Sequence, residues 1–424
     1  MASASLALDA VKSGHVDLWY SDPANALKQA IPVEYDTRFV QAFQSLSLGT
    51  QQVLTLPPGA GIKDCVLVMG FSADQLDATL NDGAPNWVLP KGWGYLAIDR
   101  IAWRVAGSSE YYLTGTQLAL RNARMVRTNP QADNLINLGG SQVSVAADYT
   151  TDQFAYIPLT MWKAPGLDSF EPALASDLLG SQIQIRVYLK NATDFWSAIA
   201  PGTGSPPASF SKAYFQVEQL NMLNRAQSLA AHEDLSTHTY VAPLRAFDQQ
   251  VLTAQIPTGW QPGNQVTITG IMSGQVRAVQ CWLIDNNDLA ANSPNKLITQ
   301  APTSVRVAYA GVVYAQYDDG VSQIFNLLDS SKTSAINSTR ISLAGGAVAS
   351  TSVLAKYAMC PFAQPIESDE EAQLLVAGKP ISNGAITFFL TVPPDSGAGF
   401  TFYVVPVLNG AIAYSRGSAQ VLVG

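Results

Sequence analysis

The chain has 424 residues, 47% of them apolar but only 13% charged, and a net charge of −8. That length allows two or three domains and a core large enough to need no metal or disulfide staple, and the apolar content excludes wholesale disorder. The 24 Lys and Arg are thinly spread and offer no basic stripe for a phosphate backbone, which argues against direct nucleic-acid binding, and no apolar run reaches the ~18 residues of a membrane span.

Residues 1–34 read as an N-terminal arm. Its first residues, MASASLALDAVKSGH, lack the basic and then apolar pattern of a secretory signal. Lys12 and Lys28 are its only basic residues. Beyond the arm, apolar residues recur mostly with a period of two, not 3.6. Strands are predicted at 53–57 and 62–69, with a helical candidate at 74–80. At 181–189 the run SQIQIRVYL puts Ile183, Ile185, Val187 and Leu189 on one face. The Pro/Gly/Ser-rich stretch 201–212 marks a loop. A β-type run follows at 213–217, and residues 217–233 predict a helix. From Tyr240 the β pattern returns at 251–257, 266–271, 305–309, 386–392 and 400–407, with a helical candidate at 321–329.

Turn clusters such as Pro57-Pro58-Gly59, Asn81-Asp82-Gly83, Asp318-Asp319-Gly320 and Pro393-Pro394-Asp395 separate these short runs. Such spacing points to an all-β sandwich or barrel architecture. The chain divides into the arm (1–34), a first β domain (35–220), a helical connector (221–239) and a second β domain (240–424). Both β domains open on a strand, a Pro-containing turn and a second strand. Similar size and class suggest a duplicated module, although no residue-level repeat is visible between the halves.

Residues that could carry chemistry are few. His15, His232 and His238 are the only histidines. The six-residue spacing of the last two suits neither a helical nor a strand metal pair, so Glu233 and Asp234 beside them read as connector polarity. No nucleophile elbow, HExxH or phosphate loop is present, and Gly202-Thr203-Gly204 lacks the Lys and helix of a phosphate cradle. Asp285-Asn286-Asn287-Asp288 and Asp318-Asp319-Gly320 lack the alternating ligands of a calcium loop and read as surface turns. The acidic run at 367–371 reads as a solvated loop or a helix start. The tripeptides Asn191-Ala192-Thr193 and Asn337-Ser338-Thr339 match the glycosylation sequon but arise easily by chance. Cys65, Cys281 and Cys360, far apart in sequence, read as small apolar residues.

No catalytic, metal or cofactor-binding residue is assigned, and no cofactor is expected. Trp103, Tyr188, Tyr309 and Tyr403 lie in alternating runs, where sandwich core or interface is the default. A carbohydrate-binding or glycan-hydrolysing β-sandwich protein is the alternative reading. A secreted adhesin is a third, but it lacks a signal and disulfides.

Residues 156–190, YIPLTMWKAPGLDSFEPALASDLLGSQIQIRVYLK, resemble the major capsid proteins of the double jelly-roll lineage, especially those of large icosahedral DNA viruses. There, I-P-L-x-F-W, then P-G-L, then L-P-x-x-A-L lead into an alternating strand. Ile157-Pro158-Leu159 and Trp162 match the first part, Pro165-Gly166-Leu167 the second, and Pro172-Ala173-Leu174 with Leu178-Leu179 the third. Met161 stands where the family has an aromatic, and Lys163 where it has an apolar residue. Residues 98–105 followed by 111–115 resemble the family strand that precedes a short helix, residues 321–329 an equivalent excursion in the second module, and Tyr414-Ser415-Arg416-Gly417 the family's last segment.

The resemblance implies two consecutive eight-stranded jelly rolls with short helical excursions, and places 156–190 in the long loop between strands F and G. It implies a homotrimer forming a pseudo-hexagonal capsomer of an icosahedral shell, over an internal lipid membrane. Its partners are neighbouring capsomers and minor capsid, penton or cement proteins, and its location is the virion. The arm and connector would touch neighbours or the membrane side. It implies no enzyme. Pro158, Trp162, Pro165 and Gly166 are expected to set the start of the excursion, with Trp162 buried. The charge deficit agrees with a covered surface, since interface centres are poor in Lys, Glu and Asp.

Overall fold

The structure is a computed structural model. It describes residues 16–18, 33–55, 60–76, 87, 89, 92–104, 110–125, 139–140, 151–159, 161, 174–175, 184–197, 206–222, 239–248, 252–259, 265–289, 299–300, 302–317, 358–361, 379–393, 397–415 and 418–423. The period-two segments form strands, because alternation lets one face enter a core while the other stays wet. In chain order these are β1 (Val16–Leu18), β2 (Val33–Ala42), β3 (Gln51–Thr55), β4 (Ala60–Phe71), β5 (Ile98–Arg104), β6 (Tyr111–Thr114), β7 (Gln153–Pro158), β8 (Leu174–Ala175), β9 (Gln184–Leu189) and β10 (Lys212–Met222). There follow β11 (Thr239–Asp248), β12 (Leu252–Ile256), β13 (Gln265–Asp285), β14 (Ser304–Tyr309), β15 (Val312–Tyr317), β16 (Ala358–Pro361), β17 (Lys379–Thr391), β18 (Phe400–Ser415) and β19 (Ser418–Val423). Among the described residues five short helices punctuate them: α1 (Ala73–Leu76), α2 (Trp93–Ala97), α3 (Gly115–Met125), α4 (Ala192–Ser197) and α5 (Asn286–Leu289).

The first half is a jelly roll. One sheet runs β2-β10-β4-β7, with β8 added to β4, and the facing sheet runs β3-β9-β5-β6. Lettered B to I in chain order, omitting β8, these are the B-I-D-G and C-H-E-F sheets of an eight-stranded roll. The second half repeats this order. β18 lies between β11 and β12 on one side and residues 276–285 of β13 on the other, and β13 carries β16 beyond. Residues 265–276 of β13 pair with β17, which pairs with β14, which pairs with β15. Strands C and D of this roll are thus one continuous strand. The register shifts between Met272 and Gly274, where Gly274 has φ 116°, a conformation that side chains disfavour.

Each core lies between the two sheets of its roll. Leu67, Met69 and Phe215 face Ile185, Val187 and Ile101 in the first, and Cys281, Leu283 and Phe402 face Phe388, Leu390 and Val307 in the second, all buried. Each such side chain contributes about 1.5–3 kcal/mol.

Several expectations change. Residues 217–222 are strand, not helix: β10 is paired on both edges, with β2 and with β4, and that pairing overrides the local preference of VEQLNM. The remainder of the connector before Thr239 lies outside the described residues, as do 77–80 and 321–329. Helix α1 supplies one turn of the 74–80 candidate. The segment 156–190 joins β7 to β9, the sixth and seventh strands G and H of the roll, not F and G; the F–G connection instead holds α3. Strand F is only the four-residue β6, too short to count from periodicity, so the lettering slipped by one. Part of the arm stays within the chain: β1 pairs in parallel with β11 of the second roll.

Candidate assembly surface

The two rolls meet through α3. Thr114 and Gln117 cap its first turn reciprocally: the Gln117 amide N–H donates to Thr114 Oγ1 at 3.3 Å, and the Thr114 N–H donates to Gln117 Oε1 at 2.7 Å. This is a capping box, legible in the sequence Thr114-Gly115-Thr116-Gln117. Gly115 lets the helix start against α2, because a Cβ there would strike the Tyr95 carbonyl oxygen. The next residues bolt the helix to the exit of β7. Asn122 Nδ2 donates to the Pro158 carbonyl at 2.9 Å and to Tyr95 Oη at 3.0 Å, and buried Arg121 donates from Nη2 to the Met161 carbonyl at 3.4 Å. Burial pushes the Tyr95 phenol up to about 12, with the Asn122 bond acting weakly the other way.

So held, α3 presents Leu120 to the outside of the second roll. Leu120, Trp282, Ile284 and Val405 form a buried cluster of their own, with Leu289 and Tyr403 packed against it. Trp282 stacks on Tyr403 with ring centroids 5.5 Å apart and planes 5° apart. The outer face of the second B-I-D-G sheet is therefore covered from within the chain, and every residue from Ala278 to Asp285 is buried.

The corresponding face of the first roll is exposed at its edge strands and closed at its centre, where Val68 of β4 is buried. In β2, Val40 is 62% exposed, and in β7 Tyr156 is 37% exposed. Between them the register aligns Val40 with Gln216, Val66 and Pro158, and Ala42 with Tyr214, Val68 and Tyr156. This row of strands is uncharged at its centre. Lys212, whose Nζ lies 5.4 Å from the Tyr214 ring, stands at one end, and Asp64 opposite Glu218 at the other.

The C-H-E-F sheets carry a feature invisible in the linear sequence. Arg100 in β5 lies opposite Tyr188 in β9 and stacks 4.2 Å from its ring centroid. Arg306 in β14 lies opposite Phe389 in β17 and stacks at 4.0 Å. Both pairs join strand E to strand H of their rolls, so the two halves share one cross-strand Arg–aromatic contact.

The sequence candidates for chemistry disperse. Asp285 closes β13 and its Oδ1 accepts the Asn287 N–H at 2.9 Å, capping α5. Asn286 Nδ2 donates to the Ala398 carbonyl at 2.9 Å. This is a capped helical turn, not a calcium loop. Asn191 of the sequon caps α4, its Oδ1 accepting the Asp194 N–H at 2.7 Å. Cys281 and Cys360, distant in sequence, are hydrogen-bonded neighbours across β13 and β16; that contact and burial raise the Cys281 thiol well above its usual value. Burial also raises the Cys65 thiol, reinforced by nearby Asp64. Trp87, Trp93, Trp103, Trp196 and Trp282 are all buried, so none of them offers a stacking face to a sugar. Among the described residues no group of three or more His, Cys, Asp and Glu could hold a metal ion, and no helix is long and apolar enough to cross a membrane. His15, His232, His238, Gly202–Gly204, the 318–320 turn, the 367–371 run, Asn337, Ile183, Trp162, Pro165 and Gly166 lie outside the described residues. Of the recognisable segment, Ile157, Leu159 and Met161 are buried. Its visible role is to anchor α3, which the sequence did not suggest.

No family model matches the chain, and no curated protein matches it. Solved structures do resemble it. The PBCV-1 virus capsid chain superposes with a TM-score of 0.56 at 10% identity, over 92% of this chain and 97% of that one. The Faustovirus major capsid protein gives 0.54 at 9% identity, over 93% and 91%. The Sputnik virophage capsid structure gives 0.50 at 10% identity, over 93% and 90%. At these identities the likeness is one of fold: the chain is a double jelly roll over nearly its whole length.

Proposed function

We propose that this chain is the major capsid protein of an icosahedral virus, with three copies forming a pseudo-hexagonal capsomer. The observation that carries the reading is one strand order used twice in a single chain, with the two rolls locked by α3 across the outer face of the second. Two like rolls per chain in three copies make a six-sided block, a shape that tiles a curved shell. The folded domains are the first roll, from β2 to β10, and the second, from β11 onward, joined through the stretch between β10 and β11. The function is geometric: rigid sandwiches form the wall, and the connections between strands meet neighbouring capsomers and minor capsid, penton or cement proteins. The net charge of −8 favours a coat that leaves the genome ungripped. An internal lipid membrane would lie beneath, on the side of the arm. No catalytic step and no cofactor enter this reading.

The test is light scattering on purified protein at micromolar concentration. The expected mass is roughly 136 kDa, three times the 45.2 kDa of one chain. A persistent monomer overturns the proposal and returns weight to a carbohydrate-binding sandwich, which a glycan array would then pursue.

A further inference from the structure

The E–F hairpin of the second roll differs from its counterpart in the first. Strands β14 and β15 are joined by Ala310 and Gly311, with φ 51° and 79°, the backbone of a tight two-residue turn. A Cβ added to Gly311 would meet nothing within 4 Å, so the turn projects freely. Just past it Val312 is 54% and Val313 47% exposed, and Ile271 of β13 is 65% exposed. Ile271 lies opposite Ala385 of β17, next to Ile386, which stands opposite Tyr309. It is thus level with the turn, two strands or about 10 Å away. Tyr309 and Tyr314 flank the turn with ring centroids 6.4 Å apart. A Cβ at Gly384 would strike the Tyr309 ring, so Gly384 gives that ring its seat. Residues 307–317, VAYAGVVYAQY, carry no charge. The matching connection of the first roll reads Val105-Ala106-Gly107-Ser108-Ser109-Glu110, polar where the second is apolar.

The hairpin lies at the same end of the second roll as the arm strand. Ser304 stands opposite Thr391 and Tyr309 opposite Ile386, so the turn points toward the start of β17. There β13 turns its corner, with Gly274 opposite Ile381. Strand D leaves that corner at Val276, opposite Leu408, and β18 runs on to Tyr414, which faces Tyr240 beside β1. Resting on the reading of a membrane on the side of the arm, we infer that the Tyr309–Tyr314 hairpin tip, with Ile271 beside it, is an anchor that dips into the lipid headgroup boundary. Exposed aliphatic side chains between tyrosines suit that boundary, where a Tyr ring is buried while its hydroxyl stays wet. A protein partner would need a face of about 800 Å², which two valines beside a two-residue turn do not present, whereas lipid accepts any apolar projection. One tip holds weakly, and the tips of one capsomer reinforce each other through effective concentration.

The test is flotation of the purified full chain with phosphatidylcholine vesicles. The wild type should float, and Val312→Ser with Val313→Ser, which copies the first roll's serines, should lower the partition coefficient about tenfold. Its circular dichroism and light scattering should match the wild type, because both valines are largely exposed. A second measurement uses Val312→Cys carrying a nitrobenzoxadiazole fluorophore; the native thiols stay silent, because Cys65, Cys281 and Cys360 are buried. Its emission should rise and shift to the blue on adding vesicles. Equal flotation of the wild type and the serine variant sinks the anchor and leaves the membrane reading standing. Flotation that requires added phosphatidylglycerol assigns the contact to basic residues elsewhere and overturns the anchor. A blue shift that grows with protein concentration in the absence of lipid gives the tip to a second copy and also overturns it. No flotation of either protein overturns the anchor and the membrane reading together.

Discussion

In the second roll, strand D is buried on both faces from Ala278 to Asp285, whereas strand D of the first roll, β4, leaves Asp64 and Val66 partly exposed beside an exposed Val40. The topology is the same; the surroundings differ. Two-sided burial comes at a cost, because Gln280 Nε2 and Trp282 Nε1 are enclosed without a hydrogen-bond partner, and such groups cost about 1–3 kcal/mol each. The covered face offsets this with the Leu120, Trp282, Ile284 and Val405 cluster. One roll is thus covered by α3 from within the chain, while the other keeps an exposed edge strand at Val40.

The sharpest way to break this comparison is Trp282→Ala. It should destabilise the chain by about 3–5 kcal/mol, the range for deleting a buried Trp, and should weaken the grip of α3 on the second roll. Trp282→Phe keeps the stacking partner of Tyr403 and removes the unpartnered indole N–H, so it should cost about 1.5 kcal/mol or less. Denaturant unfolding of both variants checks this. If Trp282→Ala melts like the wild type, the covered face is not what holds the rolls together.

A middle-sized effect should come from pH, through Tyr95 at the seat of α3. Its folded value is raised to about 12, above the ordinary value near 10. The folded state therefore keeps the phenolic proton over a range in which the unfolded chain has lost it. The stabilisation is complete below pH 10 and is lost as pH rises from 10 to 12, with a size on the order of 2–3 kcal/mol. Stability against urea, measured from pH 9 to 12, should fall in that window, and Tyr95→Phe should flatten the fall. An unchanged slope in the variant would falsify this assignment.

The same contrast explains what the sequence made legible. Where one face of a strand is wet, alternation shows: Ile185, Val187 and Leu189 are buried while their neighbours are partly exposed. Where both faces are covered, alternation vanishes, and Ala278-Val279-Gln280-Cys281-Trp282-Leu283-Ile284 reads as an apolar run broken only at Gln280. The fused strands C and D were hidden for that reason. The jelly-roll resemblance rests on 156–190, yet the contact between the rolls is made by α3, whose start is marked in the sequence only by the capping box at Thr114 and Gln117. Pairings between distant residues, such as Cys281 with Cys360 or Arg100 with Tyr188, depend on register and leave no local trace.

The smallest expected effect belongs to the feature the two rolls share. Arg100 on Tyr188 and Arg306 on Phe389 are cation–π pairs at the same strand positions, 4.2 Å and 4.0 Å from the rings. Such a contact is worth about 0.5–1 kcal/mol when exposed and more when desolvated. Arg100 is exposed, whereas Arg306 has its Nε enclosed without a partner. Lysine would keep the charge but lose the planar stacking. Double-mutant cycles pairing Arg100→Lys with Tyr188→Leu, and Arg306→Lys with Phe389→Leu, should therefore give coupling of the same sign in both rolls, larger in the second. Coupling in only one roll would reduce the shared placement to a coincidence of register. Equal coupling in both would mean that the greater enclosure of Arg306 adds nothing to its hold on the ring.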